Sequence, residues 1–224
     1  MAEILETLPE FAGFAVSYDP SANPFFKPIV VETLRKINSV PVGKTLLAGI
    51  QAARPQSRGD FPPSINVILK PLPSGMQYNQ SGTKPVKQWG DGGSFKVTGM
   101  ATSAAAGHNL TLTNADGTTT PCPFWKDGTS ANEAVDQTAT GGGRGTVCRV
   151  TFSNAQFMTS KGEPCSPIIV LAHELIHSLH CLQGVHAGDK EELWTAGEGV
   201  YSEEPMSEAA FRRAYGLPPR AAYY

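Results

Sequence analysis

Apolar positions in the first 70 residues recur at two spacings, and each spacing predicts an element. "FAGFAVSYD", residues 11–19, and "SINVILK", residues 64–70, are short runs of β-branched, aliphatic and aromatic side chains with prolines close by at both ends, which predicts strands. "FKPIVVETLRKIN", residues 26–38, and "GKTLLAGIQAA", residues 43–53, space their apolar residues three and four apart, which predicts helices. From Pro71 to Gly145 this patterning gives way to Gly, Ser, Thr, Asn and Pro, and only "SFKVTGM" and "NLTLT" keep strand character. "TVCRVTFS", residues 146–153, predicts one more strand, followed by a loop that closes on Pro167. The expected organisation is one domain, residues 1–224, with a packed α/β part at 1–70, a loop-rich part at 71–145 and a third part at 146–224. No internal repeat is visible.

The last strongly periodic segment is "PIIVLAHELIHSLHCLQG", residues 167–184. Ser166 followed by Pro167 makes an N-cap and first-turn pair, and Gly184 is a natural stop, so a helix of roughly four to five turns is expected between them. Ile168, Ala172, Leu175, Leu179 and Leu182 fall on one stripe, while His173, His177, His180 and Gly184 fall on another. Such a helix is expected to lie between a core and a cleft.

Composition narrows the function classes. With 224 residues, 40% hydrophobic content and a formal charge of -2, the chain carries no basic field to gather phosphates or anionic lipids, so no nucleic-acid or membrane partner is expected. The start, "MAEILETLPEFAG", has acidic residues where a classical signal peptide needs a basic end, and the longest apolar stretch, Ile168 to Ala172, falls far short of the roughly 20 residues that span a bilayer. A soluble, monomeric protein with a protein or small-molecule partner is expected. Cys122, Cys148, Cys165 and Cys181 show no CxxC spacing and are expected to be free buried thiols.

Three short motifs carry little weight. "GKT" at Gly43 to Thr45 lacks the first glycine of a phosphate-binding loop, Asn38 standing there, and a predicted helix precedes it where a strand is required. "GGGRG" at 141–145 is a flexible turn before a strand, and the tripeptide Arg58-Gly59-Asp60 has no export signal to support an adhesion role.

His173, Glu174 and His177 form HExxH. On a helix the two histidines project the same way one turn apart and can bind one ion, while the glutamate is placed to take a proton from water at that ion. A catalytic site needs a third protein ligand. The extension HExxHxxGxxH is excluded, because the chain has His180 and Gln183 at the decisive positions. His180 shares the face of His177, but three ligands on one straight helix do not surround an ion, so it is read as a residue behind the ligands or a packed histidine. His186 is read as a loop residue. Glu191, Glu192 and Glu198 in "AGDKEELWTAGEG" are the acidic candidates, the first two opening a short helix with Asp189 as its cap.

"HELIHSLHCLQG" followed by "EELWTAG" resembles the active-site elements of the clostridial neurotoxin light chains and, closer in size, of the NleD-type secreted effector metallopeptidases. The resemblance covers about the last 60 residues and implies an α+β, zincin-like metallopeptidase domain with an active-site HExxH helix and a small mixed sheet. It implies Zn2+ held by His173, His177 and Glu192, with Glu174 as proton acceptor and Glu191 beside the third ligand. It also implies an Arg-x-x-Tyr pair backed by a glutamate. "LPPRAAYY" supplies Arg220 and Tyr223, with Glu208 upstream, and "RRAY" supplies a second match in Arg212 and Tyr215. The implied function is zinc-dependent endopeptidase action on a host protein, a mitogen-activated kinase activation loop being the first candidate. The implied route is export by a specialised system into the cytoplasm of a host or target cell. Two alternatives stay open: an inactive zinc-binding interaction domain, and a metal-dependent amidase acting on a non-protein substrate. An extended substrate is expected to pair with a strand edge beside the helix, for which "TVCRVTFS" is the candidate.

Overall fold

The computed structural model describes residues 3–55, 62–71, 95–97, 111–113, 119–121, 145, 147–152, 157–158, 164–185 and 190–220. Its main sheet has the strand order β1 (Ile4–Thr7), β2 (Gly13–Tyr18), β3 (Ile65–Pro71), β7 (Cys148–Phe152), β4 (Phe95–Val97). β2, β3 and β7 run parallel, while β1 and β4 are antiparallel additions at the two edges. The hairpin of β5 (Thr111–Thr113) and β6 (Thr119–Pro121) and the pair β8 (Phe157–Met158) and β9 (Pro164–Cys165) stand apart from it.

The parallel centre explains the apolar runs of the sequence. A strand covered on both faces reads as nearly continuous hydrophobicity, and β2 from Phe14 to Tyr18 and β3 from Ile65 to Leu69 are buried throughout. Register then sorts the side chains. Val16, Leu69 and Val150 align across the three strands and belong to the main core, whereas Ala15 and Ile68 belong to a smaller cluster with Ile65 and Val147.

The main core also takes the buried faces of α1 (Phe26–Asn38) and α2 (Pro41–Ala52). The two helices meet closely at Gly43, where a Cβ would lie 1.8 Å from the Ile37 carbonyl oxygen. The glycine of "GKT" therefore serves helix packing. α3 (Pro167–Gln183) packs against α1, α2 and β7, and also against α4 (Glu191–Ala196) and α5 (Glu208–Ala214).

α3 starts and stops where its sequence says. The Ser166 side chain accepts from the Ile168 amide, Pro167 opens the first turn, and Gly184 closes the helix at φ 75°. Val185 N–H donates to the His180 carbonyl and Gly184 N–H to the Cys181 carbonyl, a Schellman ending. The expected division into an apolar and a polar stripe is not what surrounds it, because every residue from Leu171 to Leu182 is buried. The histidine side is covered by α4 and α5, which the local pattern of α3 could not reveal. The expected free edge on "TVCRVTFS" is also absent: β7 pairs with β3 on one side and β4 on the other. The class is nevertheless the expected one, a small mixed sheet with helices and an HExxH helix against it. Cys148, Cys165 and Cys181 are buried thiols outside any disulfide, and Cys122 lies outside the described residues.

Candidate metal centre

One helical turn separates His173 from His177, and their Nε2 atoms stand 3.1 Å apart. Glu192, in the first turn of α4, turns its carboxylate toward both: Oε2 is 3.3 Å from His173 Nε2 and Oε1 is 3.3 Å from His177 Nε2. Among the described residues these three side chains form a group that could hold a metal ion. The spacing fits zinc. Bonds of about 2.0–2.1 Å in tetrahedral geometry put ligand atoms ~3.3 Å apart, close to the separations the chain shows.

The far nitrogens fit as well. His173 Nδ1 lies 2.9 Å from Glu208 Oε2, and His177 Nδ1 lies 2.9 Å from Glu191 Oε1. An ionised carboxylate only accepts, so each Nδ1 carries a hydrogen, and Nε2 is the nitrogen each ring would offer to a metal. Burial pulls the His173 imidazole down, but Glu192 and Glu208 outweigh it and hold the metal-free group up at about 9. His177 is held up at about 9 in the same way, by Glu192 and Glu191 against burial.

Glu208 opens α5 behind a Ser207 cap whose side chain accepts from the Ala210 amide. It is 2% exposed, and burial alone would raise its carboxyl. Bonds and charge from His173, Arg220 and Arg212 prevail and bring it down to about 2. Arg212 Nε donates to Oε1 at 2.7 Å and Arg220 Nη1 donates to Oε2 at 3.0 Å. The arginines of the two Arg-x-x-Tyr matches thus converge on one carboxylate. Arg212 is buried and further engaged with the Pro218 carbonyl at 3.3 Å, and Tyr215 O–H donates 2.6 Å to the Lys36 carbonyl at the end of α1. Tyr215 is therefore not brought to the histidines. Tyr223 lies outside the described residues, as do His186 and Asp189.

Glu191 is 5% exposed and collects donors on Oε1: His177, His180 Nδ1 at 2.8 Å, and the Thr195 hydroxyl at 3.2 Å. Burial would raise its carboxyl, yet the bonds from His177 and His180 hold it well below the usual carboxylate range. The residue at the N-cap of α4 is Lys190, which makes no side-chain cap bond. The helix is fixed at its other end by Gly197, at φ 74°, where Glu198 N–H reaches the Leu193 carbonyl. A Cβ on Gly197 would also meet the Ser207 hydroxyl oxygen at 2.6 Å, so this glycine lets the end of α4 approach the cap of α5. Glu198 precedes the short 3-10 turn Gly199–Tyr201 and takes no part in the metal-capable group. Glu174 follows His173 on α3 and is 8% exposed. Thr195 and Glu204, which accepts from the Trp194 indole at 3.0 Å, were not expected as parts of this site. Thr195 lies within "EELWTAG" and Glu204 beyond it, and no spacing marks either.

The botulinum neurotoxin type D light chain is similar at 15% identity with a TM-score of 0.38, over 82% of this chain and 51% of that one. The chain thus spans about half the length of that light chain. No curated protein matches. The profile of the peptidase M91 family, described as effector proteins, matches residues 15–221, nearly the whole chain, and the protein belongs to that family of effector peptidases.

Proposed function

We propose that this effector is a zinc-dependent endopeptidase that acts as a monomer in the cytoplasm of a host or target cell. The observation that carries the reading is the convergence of two imidazole Nε2 atoms and the Glu192 carboxylate, with each Nδ1 backed by a buried glutamate. When bound, zinc supplies Lewis acidity that brings the pKa of water toward about 7 and polarises a peptide carbonyl.

The chain's own groups do the rest. His173, His177 and Glu192 hold the ion. Glu174 Oε takes the proton from the attacking water and returns it to the leaving amine nitrogen, one carboxyl group serving as base and then as acid. Arg220, steadied by Glu208, stabilises the negative charge that develops on the carbonyl oxygen, with Tyr223 as its partner in the Arg-x-x-Tyr pair. Arg220 suits that task better than Arg212, because 17% of its side chain is exposed while Arg212 is closed in.

The substrate we infer is a folded host signalling protein with an exposed loop, first of all a mitogen-activated kinase cut in its activation segment. The resemblance to NleD-type effectors supports this choice, and a mobile loop is the kind of segment that can extend into a cleft. The test is incubation of purified kinases of this class, and of a host-cell lysate, with the zinc-loaded protein and with Glu174→Gln, read by intact mass and by new N-termini. Wild-type protein should cut and Glu174→Gln should keep its zinc while losing turnover by roughly two to four orders of magnitude. Cuts confined to other proteins would discard the kinase and keep the peptidase. Equal cutting by Glu174→Gln would remove the assigned proton acceptor.

A further inference from the structure

The zinc reading gives tasks to His173 and His177 and leaves the third histidine of the helix without one. His180 is 4% exposed and meets α4 at two points. Its Nδ1 donates 2.8 Å to Glu191 Oε1, the oxygen that also accepts from His177. Its ring stacks on Trp194, with centroids 3.7 Å apart and planes 11° from parallel. The indole is fixed in turn, since Nε1–H donates to Glu204.

Glu191 and Trp194 bracket Glu192 on the same short helix. The Glu192 side chain is 50% exposed overall, with its carboxylate turned in on the two imidazoles. Its aim depends on how the helix that carries it is seated. We infer that His180 is a positioning residue that clamps α4 to α3 and so aims Glu192 at the two imidazole nitrogens. It grips the helix by a hydrogen bond on one side of Glu192 and by a ring stack on the other. This inference rests on Glu192 being a metal ligand.

The experiment measures zinc and cobalt affinity of the full chain, together with the visible spectrum of the cobalt-loaded protein, in which band position and intensity report ligand number and geometry. His180→Ala should keep its far-ultraviolet circular dichroism and cooperative unfolding, bind metal about 10- to 100-fold more weakly, and show an altered cobalt spectrum. His180→Asn, which keeps an N–H donor near the Nδ1 position, and His180→Phe, which keeps the stack, should each recover part of the loss and remain readable if His180→Ala does not fold. On a Glu192→Gln background His180→Ala should add little, because the residue it positions is already gone. Unchanged affinity and spectrum in His180→Ala would overturn the clamp, as would an equally large loss on the Glu192→Gln background. Wild-type protein that binds neither metal would overturn the zinc reading itself and the clamp with it.

Discussion

His173 and His177 each turn Nε2 toward Glu192 and back Nδ1 onto a buried glutamate, yet the two glutamates keep different company. Glu208 sits between two guanidiniums, Arg212 on one oxygen and Arg220 on the other. Glu191 is met by imidazoles and a hydroxyl, from His177, His180 and Thr195. Guanidiniums stay charged at any working pH, so the Glu208 charge is balanced with or without a metal. The balance at Glu191 depends on the histidines and therefore on what they bind. On this reading the Glu208 side is a fixed support that also carries Arg220, and the Glu191 side is the one whose balance would change if a metal bound.

Removing a partner from each side should expose that difference. Glu208→Ala leaves two guanidiniums facing a buried void, and the metal-free protein should lose roughly 3–5 kcal/mol in urea unfolding. A loss no greater than that of Glu191→Ala would erase the asymmetry. Acid sharpens the same point. The Glu208 carboxyl stands at about 2 in the folded chain against an ordinary 4.5, so it contributes stability above pH 4.5 that disappears as pH falls toward 2. A shift of that size is worth about 3 kcal/mol. The stability of metal-free Glu208→Gln should accordingly fall less steeply over this window than that of the wild type, and parallel curves would contradict the assignment.

Glu191→Gln should act on the metal more than on the fold, weakening zinc binding about 10- to 100-fold by titration against a chelator. If Glu191→Gln unfolds the chain as readily as Glu208→Ala, both sides are supports and the contrast fails. The smallest effect belongs to the tyrosine of the second Arg-x-x-Tyr match. Tyr215→Phe removes one partly exposed hydrogen bond to α1 and should cost at most about 1 kcal/mol, with peptidase turnover unchanged. A large loss of turnover would place Tyr215 at the chemistry despite its bond to Lys36.

What the sequence showed and what it hid follow from the range of the forces involved. The ends of α3 were legible because Ser166, Pro167 and Gly184 act within a turn of themselves. α1 was legible to the residue because its buried positions, such as Val30, Leu34 and Ile37, follow the helical period. β1 was not, since four residues of alternating burial become a strand only by pairing with β2. α5 is too short for a hydrophobic period to mark it, although Ser207 followed by Glu208 in "SEAAFRRA" carries the local signal of a capped start. The preference for Arg220 over Arg212 rests on the burial of Arg212 and on a Tyr215 contact across 179 positions of chain, neither of which a local pattern encodes. The closed surroundings of α3 were hidden for the same reason: α4 and α5 return over the histidines from later in the chain.

The proposed function turns on one zinc ion held by His173, His177 and Glu192, the group among the described residues able to hold a metal. Elemental analysis of the purified wild type, His173→Ala and His177→Ala after exposure to equimolar zinc and gel filtration tests it most directly. The account predicts one zinc per wild-type chain and loss of most of it in either variant; full occupancy in both variants would contradict it.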